Sequence, residues 1–82
     1  MKNWISVYEQ LPPENQTVFL LNNKSNSIWI GCHVYIENEG WFWATSNGNN
    51  LYINANEIVA ECEIDDDYEV THWHELPKIE QL

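Results

Sequence analysis

Ile28-Trp29-Ile30-Gly31-Cys32-His33-Val34-Tyr35-Ile36 alternates without interruption between aliphatic-type positions and a second set made of Trp29, Gly31, His33 and Tyr35. A period of two sends successive side chains to opposite faces of an extended backbone, so this stretch predicts a long central strand. The set Ile28, Ile30, Cys32, Val34 and Ile36 is expected to face the core. Upstream, Thr17-Val18-Phe19-Leu20-Leu21 has strand composition, and the polar Asn22-Asn23-Lys24-Ser25-Asn26-Ser27 loop turns it back as a hairpin partner. Downstream, Glu37-Asn38-Glu39-Gly40 reads as a turn into a third strand, Trp41-Phe42-Trp43-Ala44. The predicted centre is therefore an antiparallel meander.

Further out the pattern is less uniform. Ser46-Asn47-Gly48-Asn49-Asn50 has turn chemistry throughout and is expected to be a mobile loop. Asn54 and Glu57 have the spacing of a capping box, so a single helical turn over residues 54–58 competes there with a strand. Alternation returns over residues 58–64, with Ile58, Ala60, Cys62 and Ile64 inward. Asp65, Asp66 and Asp67 then read as the tip of a second hairpin that returns through residues 69–74; if that tip is a symmetric three-residue loop, Cys62 pairs with Val70, Ala60 with His72 and Ile58 with His74, whereas a slip of one residue separates them. Leu76-Pro77 ends the pairing, because proline offers no amide hydrogen to a ladder. Residues 78–82 are expected to fray, and a short turn at residues 7–10 precedes the extended Leu11-Pro12-Pro13.

At 82 residues the chain reads as one domain with a compact core, supplied economically by five Trp, four Tyr and two Phe. Together these features predict an α+β, mostly β fold: a twisted antiparallel sheet of about four to six strands with little helix, and the N-terminal Leu-Pro segment packed across it. Thirteen acidic residues stand against three lysines and no arginine, a formal charge of -10. Such a chain is repelled by phosphate backbones and anionic membranes, so neither direct nucleic-acid binding nor membrane association is expected. Lys2, Asn3 and Glu9 interrupt any apolar leader at the N-terminus, two cysteines are too few for a disulfide framework, and the cytosol, with both thiols reduced, is the expected compartment.

Few residues offer chemistry. His72 and His74 share one strand face about 6.5–7 Å apart at their roots, a spacing that can chelate a metal with Cys62 beside them, but no established ligand spacing accompanies them. No metal site and no cofactor are assigned. Cys32 and Cys62 lie on apolar strand faces, which suits small core residues better than nucleophiles. The aspartate run is too solvated for acid and base catalysis, and the three glycines are too dispersed to cradle phosphate. The expectation is therefore a non-enzymatic protein.

Two surfaces remain. Glu57, Glu61, Glu63, Asp65, Asp66, Asp67 and Glu69 place seven of the thirteen acids in thirteen residues, a negative face suited to a basic protein partner, or merely to solubility. Trp41 and Trp43 flank Phe42, so one set must point away from the meander's main core, where it is either covered by a second layer or exposed.

The chain ends carry Trp4-Ile5-Ser6-Val7-Tyr8-Glu9-Gln10-Leu11-Pro12 and Val70-Thr71-His72-Trp73-His74-Glu75-Leu76-Pro77. These resemble the opening and closing motifs of the family called domain of unknown function 551, and the resemblance covers essentially the whole chain. It implies that the ends close one shared sheet, and it implies a phage or prophage origin without supplying catalytic residues. The Asn-rich loop and the acidic run depart from the family pattern, as do His74 and Glu75. On this basis the expected function is an acidic, phage-encoded interaction protein that binds and inhibits a host protein with a basic surface, in a counter-defence role resting on mimicry of nucleic-acid charge. The alternative is a small-ligand binder for a nucleotide-derived signal, using Trp41, Trp43, Tyr52 and His72 as an aromatic pocket.

Overall fold

The computed structural model describes residues 3–46, 51–65 and 67–79. Its eight strands are β1 (Ile5–Ser6), β2 (Val18–Asn22), β3 (Ser27–Ile36), β4 (Gly40–Ser46), β5 (Leu51–Asn54), β6 (Glu57–Ala60), β7 (Glu63–Ile64) and β8 (His72–Glu75). Six of them form an antiparallel sheet in the order β1-β8-β2-β3-β4-β7, while β5 and β6 form a separate two-stranded sheet. No helix occurs among the described residues, so the protein is mostly β.

The meander forms as its alternation dictates. Val18 pairs with Gly31 and Leu21 with Ile28 on one side of β3, and His33 pairs with Trp43 and Tyr35 with Trp41 on the other. Asparagines make the turns, because their short amide side chains tolerate left-handed backbone. Asn26 has φ 57° and Asn38 has φ 71°. The Asn22 Oδ1 also accepts from the backbone N–H groups of Lys24 and Ser25 at 3.0 and 3.3 Å. Gly40, at φ 100°, starts β4 in a conformation that a side chain resists.

The core lies on the opposite face from the one the aliphatic pattern marks. Register places Val18, Leu20, Trp29, Gly31, His33, Trp43 and Trp73 on one side of the sheet. Val18 and Leu20 there are 0% exposed and Trp73 is 2% exposed, with Ile5, Val7, Trp29, Trp43 and Tyr68 packed around them and Val70. Ile28, on the face expected to be interior, is 59% exposed, and Ile30, Cys32, Val34 and Ile36 are only partly buried. The reason is area. Three indoles remove more surface from water than the aliphatic set can, and Gly31 leaves space among them. A Cβ at Gly31 would overlap the Ala44 carbonyl oxygen and lie 2.8 Å from Leu20 Cδ1.

Two connecting segments cover the aromatic face. One follows β1, turns once as Glu9 and Gln10 donate to the Ser6 carbonyl, and presents the Gln10 carbonyl to Trp73 Nε1 at 2.9 Å before burying Pro12. The other, residues 65–71, crosses from β7 to β8 and lays Tyr68 against Trp29 with ring centroids 4.0 Å apart. It is clamped where Thr71 N–H and Oγ1 both donate to the Leu21 carbonyl, at 2.8 and 3.0 Å. The chain ends do close one sheet, since Ile5 pairs with Trp73.

The second predicted hairpin does not form. β7 pairs with β4 through Ala44 and Ile64, and β8 inserts between β1 and β2, so Cys62, Ala60 and Ile58 do not face Val70, His72 and His74. Asp65 and Asp67 lie at the start of the crossover, where Tyr68 N–H donates to the Asp65 carbonyl at 3.4 Å, and not at the tip of a hairpin; Asp66 lies outside the described residues. Residues 54–58 form no helical turn either. Asn54 pairs with Glu57 across a two-residue loop in which Ala55 (φ 50°) and Asn56 (φ 66°) are both left-handed, the geometry that suits strand twist in a hairpin. Of the expected mobile loop, residues 47–50 lie outside the described residues while Ser46 ends β4; of the expected frayed tail, residues 80–82 lie outside and Ile79 N–H donates to the Asn56 carbonyl at 2.8 Å.

Candidate functional site

The acidic residues follow the chain across the molecule rather than lining one hairpin. Glu57 opens β6, Glu61 lies in the link to β7, Glu63 sits on the β7 edge opposite Thr45, and all three are exposed. Asp65 is half-buried; its backbone N–H donates to the Trp43 carbonyl and its Oδ1 accepts from Asp67 N–H, both at 3.1 Å. Asp67 and Glu69 are exposed, and Glu69 meets Lys24 Nζ at 3.2 Å. That pair is open to water on both sides, so it contributes about 0–1 kcal/mol. Asp66 lies outside the described residues. Beside this run, burial and then the neighbouring Asp65 carboxylate push the Tyr68 phenol up to about 12.

The aromatic candidates divide between places. Trp41 and Trp43 project from β4 on the core face and enclose His33: its ring stacks on Trp41 at 4.5 Å and 11°, and on Trp43 at 4.4 Å and 36°. Trp43 is packed against the core, whereas Trp41 is 53% exposed with Tyr35 edge-on to it at 5.2 Å. Tyr52 belongs to the β5–β6 hairpin, and His72 pairs with Leu21 on the opposite face from Leu20 and Trp43. The structure thus joins Trp41 and Trp43 but brings neither Tyr52 nor His72 to them. His33, which the sequence reading passed over, is the residue they share; register between residues 33–35 and 41–43 was the signal that could have found it. It is 5% exposed, and burial lowers its pKa below 6.5 against an opposing pull from the Glu14 carboxylate.

His72 and His74 do share a face, and their hydrogen bonds fix their tautomers. The single Thr71 hydroxyl proton goes to the Leu21 carbonyl, so His72 Nδ1, 2.9 Å from that hydroxyl, is the donor. His74 Nδ1 must likewise donate to the Glu75 carbonyl at 2.8 Å, while Trp4 packs edge-on against its ring at 5.7 Å. Among the described residues no group of three or more His, Cys, Asp or Glu side chains is placed to hold a metal.

Cys62 is not beside these histidines. Its thiol reaches the Cys32 thiol and the Ala60 carbonyl, the latter at 3.5 Å. The interaction between the two thiols lowers the pKa of Cys32 against the effect of burial, and the same interaction, with burial, pushes Cys62 upward. A shallow cavity of about 80 Å³ lies between Thr17, Ile58, Glu75, Pro77 and Lys78. It has room for a few waters at about 30 Å³ each, far below the roughly 300 Å³ from which small-molecule sites begin. No helix among the described residues is long and apolar enough to cross a membrane.

Neither the curated proteins nor the solved structures contain a match to this chain. The family model for a protein of unknown function, DUF551, matches residues 3–79, which takes in both terminal motifs, the meander and the hairpin between them. That match spans nearly the whole chain, from before β1 to beyond β8, and the chain belongs to the DUF551 family.

Proposed function

We propose that this protein is a non-enzymatic binding protein that docks on a basic surface of a host protein and inhibits it, offering carboxylates where that surface otherwise meets phosphate. The observation that carries the proposal is an uncompensated surface charge. Three lysines can neutralise at most three of thirteen carboxylates, one of them through the Lys24–Glu69 pair, and Glu57, Glu61, Glu63 and Asp67 are exposed between the turn end of the β5–β6 hairpin and the crossover. Carboxylates held at a surface steer a cationic partner into encounter and lose that effect when salt screens them. The phage or prophage origin implied by the resemblance supplies the host context, and the bacterial cytoplasm is the compartment in which such a partner is met.

The proposal is tested on a protein retained from bacterial lysate and then purified. Its affinity for the wild-type chain should fall steeply with ionic strength, and should fall again when Glu61, Glu63, Asp65, Asp66 and Asp67 are reversed to lysine. Affinity that ignores both changes rejects the charge-based mechanism.

A further inference from the structure

On the sheet face opposite the aromatic core, four residues form a row across the strands. Cys32 pairs with Ala44, and Ala44 pairs with Ile64. On the other side of β3, Val18 pairs with Gly31, so the next step of the register brings Thr17 beside Cys32. The chain from β6 to β7 runs above this row. It is held at one end where Ala60 N–H donates to Thr17 Oγ1 at 3.4 Å, and at the other where Ile64 joins the ladder. Three strand spacings cover about 14 Å, which is also the reach of four extended residues. Cys62 lies midway along that crossing, above the strands that carry Cys32 and Ala44, and its side chain interacts with that of Cys32.

Both residues are free thiols and both are partly buried rather than sealed. We propose that Cys32 and Cys62 form a dithiol modification site, which a hydroperoxide oxidises to an intramolecular disulfide that staples the β6–β7 link, and with it the β5–β6 hairpin, to the sheet. In the first step the Cys32 thiolate attacks one peroxide oxygen and the O–O bond breaks, leaving a sulfenic acid on Cys32 and a hydroxide or alkoxide that takes up the proton the thiol released, as water or an alcohol. In the second, Cys62 sulfur displaces the hydroxyl from Cys32 as water. The two thiols together lose two electrons and two protons, and the peroxide takes up both. The lowered pKa of Cys32 and the adjacent Cys62 suit the roles of attacking and resolving thiol. Cys62 lies between Glu61 and Glu63 of the acidic run, but the disulfide needs no partner protein to form.

The experiment treats reduced full-length protein with hydrogen peroxide and follows thiol titre, intact mass, oligomeric state and thermal unfolding. The expected result is complete loss of titratable thiol, a mass lower by two hydrogens, a peptide map linking Cys32 to Cys62, a monomeric product, and an unfolding temperature raised by roughly 10 °C, because the bond closes a long loop in a small domain. Dithiothreitol should reverse every change. A Cys62→Ser variant should gain oxygen at Cys32 without the rise in unfolding temperature. Persistence of both thiols, a mass gain from added oxygen on the wild type, or a disulfide-linked dimer would each overturn the proposal. The wild-type mass and peptide map decide the matter even where the variant fails to fold.

Discussion

The β2–β3–β4 meander and the β5–β6 hairpin are both antiparallel and both well paired, yet they end in opposite environments. In the meander, Val18 and Leu20 are fully buried beneath two crossing segments. In the hairpin, Leu51, Tyr52 and Ile53 are 45%, 51% and 57% exposed, so both faces of β5 meet water. Alternation specifies a strand, but burial is conferred by whatever is laid across it. A two-stranded sheet without cover is marginal by itself. The hairpin therefore depends on a few anchors, namely Ala60 on Thr17, Asn56 on Ile79, and the contact between Cys62 and Cys32.

The contrast is open to attack at several points. The largest effect should come from Trp73→Ala, which empties the centre of the core and removes the indole bond to Gln10; a loss of about 3–5 kcal/mol is expected in urea unfolding, sufficient to unfold a marginal domain. Gly31→Ala should cost about 3 kcal/mol by the same measurement, since the added methyl meets the Ala44 backbone carbonyl, which cannot swing aside like a side-chain end. In the hairpin the sign should reverse. Ala55→Gly relieves left-handed backbone at the turn and is expected to stabilise by about 0.5–1 kcal/mol, read as local hydrogen-exchange protection over β5 and β6 even where the global midpoint barely moves.

The smallest change, nil at neutral pH, concerns His33. Its folded pKa lies below 6.5, so the unfolded chain binds the proton first as pH falls. The stabilisation from its neutral, stacked form is therefore whole above pH 6.5 and drains away as pH drops through 6.5 toward the lower folded value. Denaturant midpoints between neutral and mildly acidic pH should show this slope in the wild type and a shallower one in His33→Gln. Equal slopes would mean that other groups set the acid response.

Much of this architecture was legible because it was local. Residues 17–44 gave the three strands and both turns, since alternation and asparagine chemistry act over a few positions. The buried face was misread because Ile28, Ile30, Val34 and Ile36 look like core on any hydropathy count, while the choice was made by indoles on three different strands. The partners of β7 and β8 were hidden because continuity along the chain favours hairpins, whereas Thr71 is captured by Leu21, fifty positions away. The Asn54 and Glu57 spacing misled for a simpler reason: three residues apart suits a helix cap and the flanks of a two-residue turn equally. The acidic run was visible as composition, but its path over β7 and the crossover depended on those unseen pairings. His33 escaped notice because its setting is made by side chains of the next strand.

The position of β8 sets the timetable of folding. It is the last of the eight strands to be synthesised, yet it takes a place between β1 and β2 rather than at a margin. Until it arrives, β2 shows an open backbone edge and the core lacks Trp73. Such non-local closure places folding in the millisecond-to-second range typical of high-contact-order β proteins, and it exposes the nascent meander to unwanted strand addition. Every residue through Glu75 must therefore have left the ribosome before the six-stranded sheet is complete.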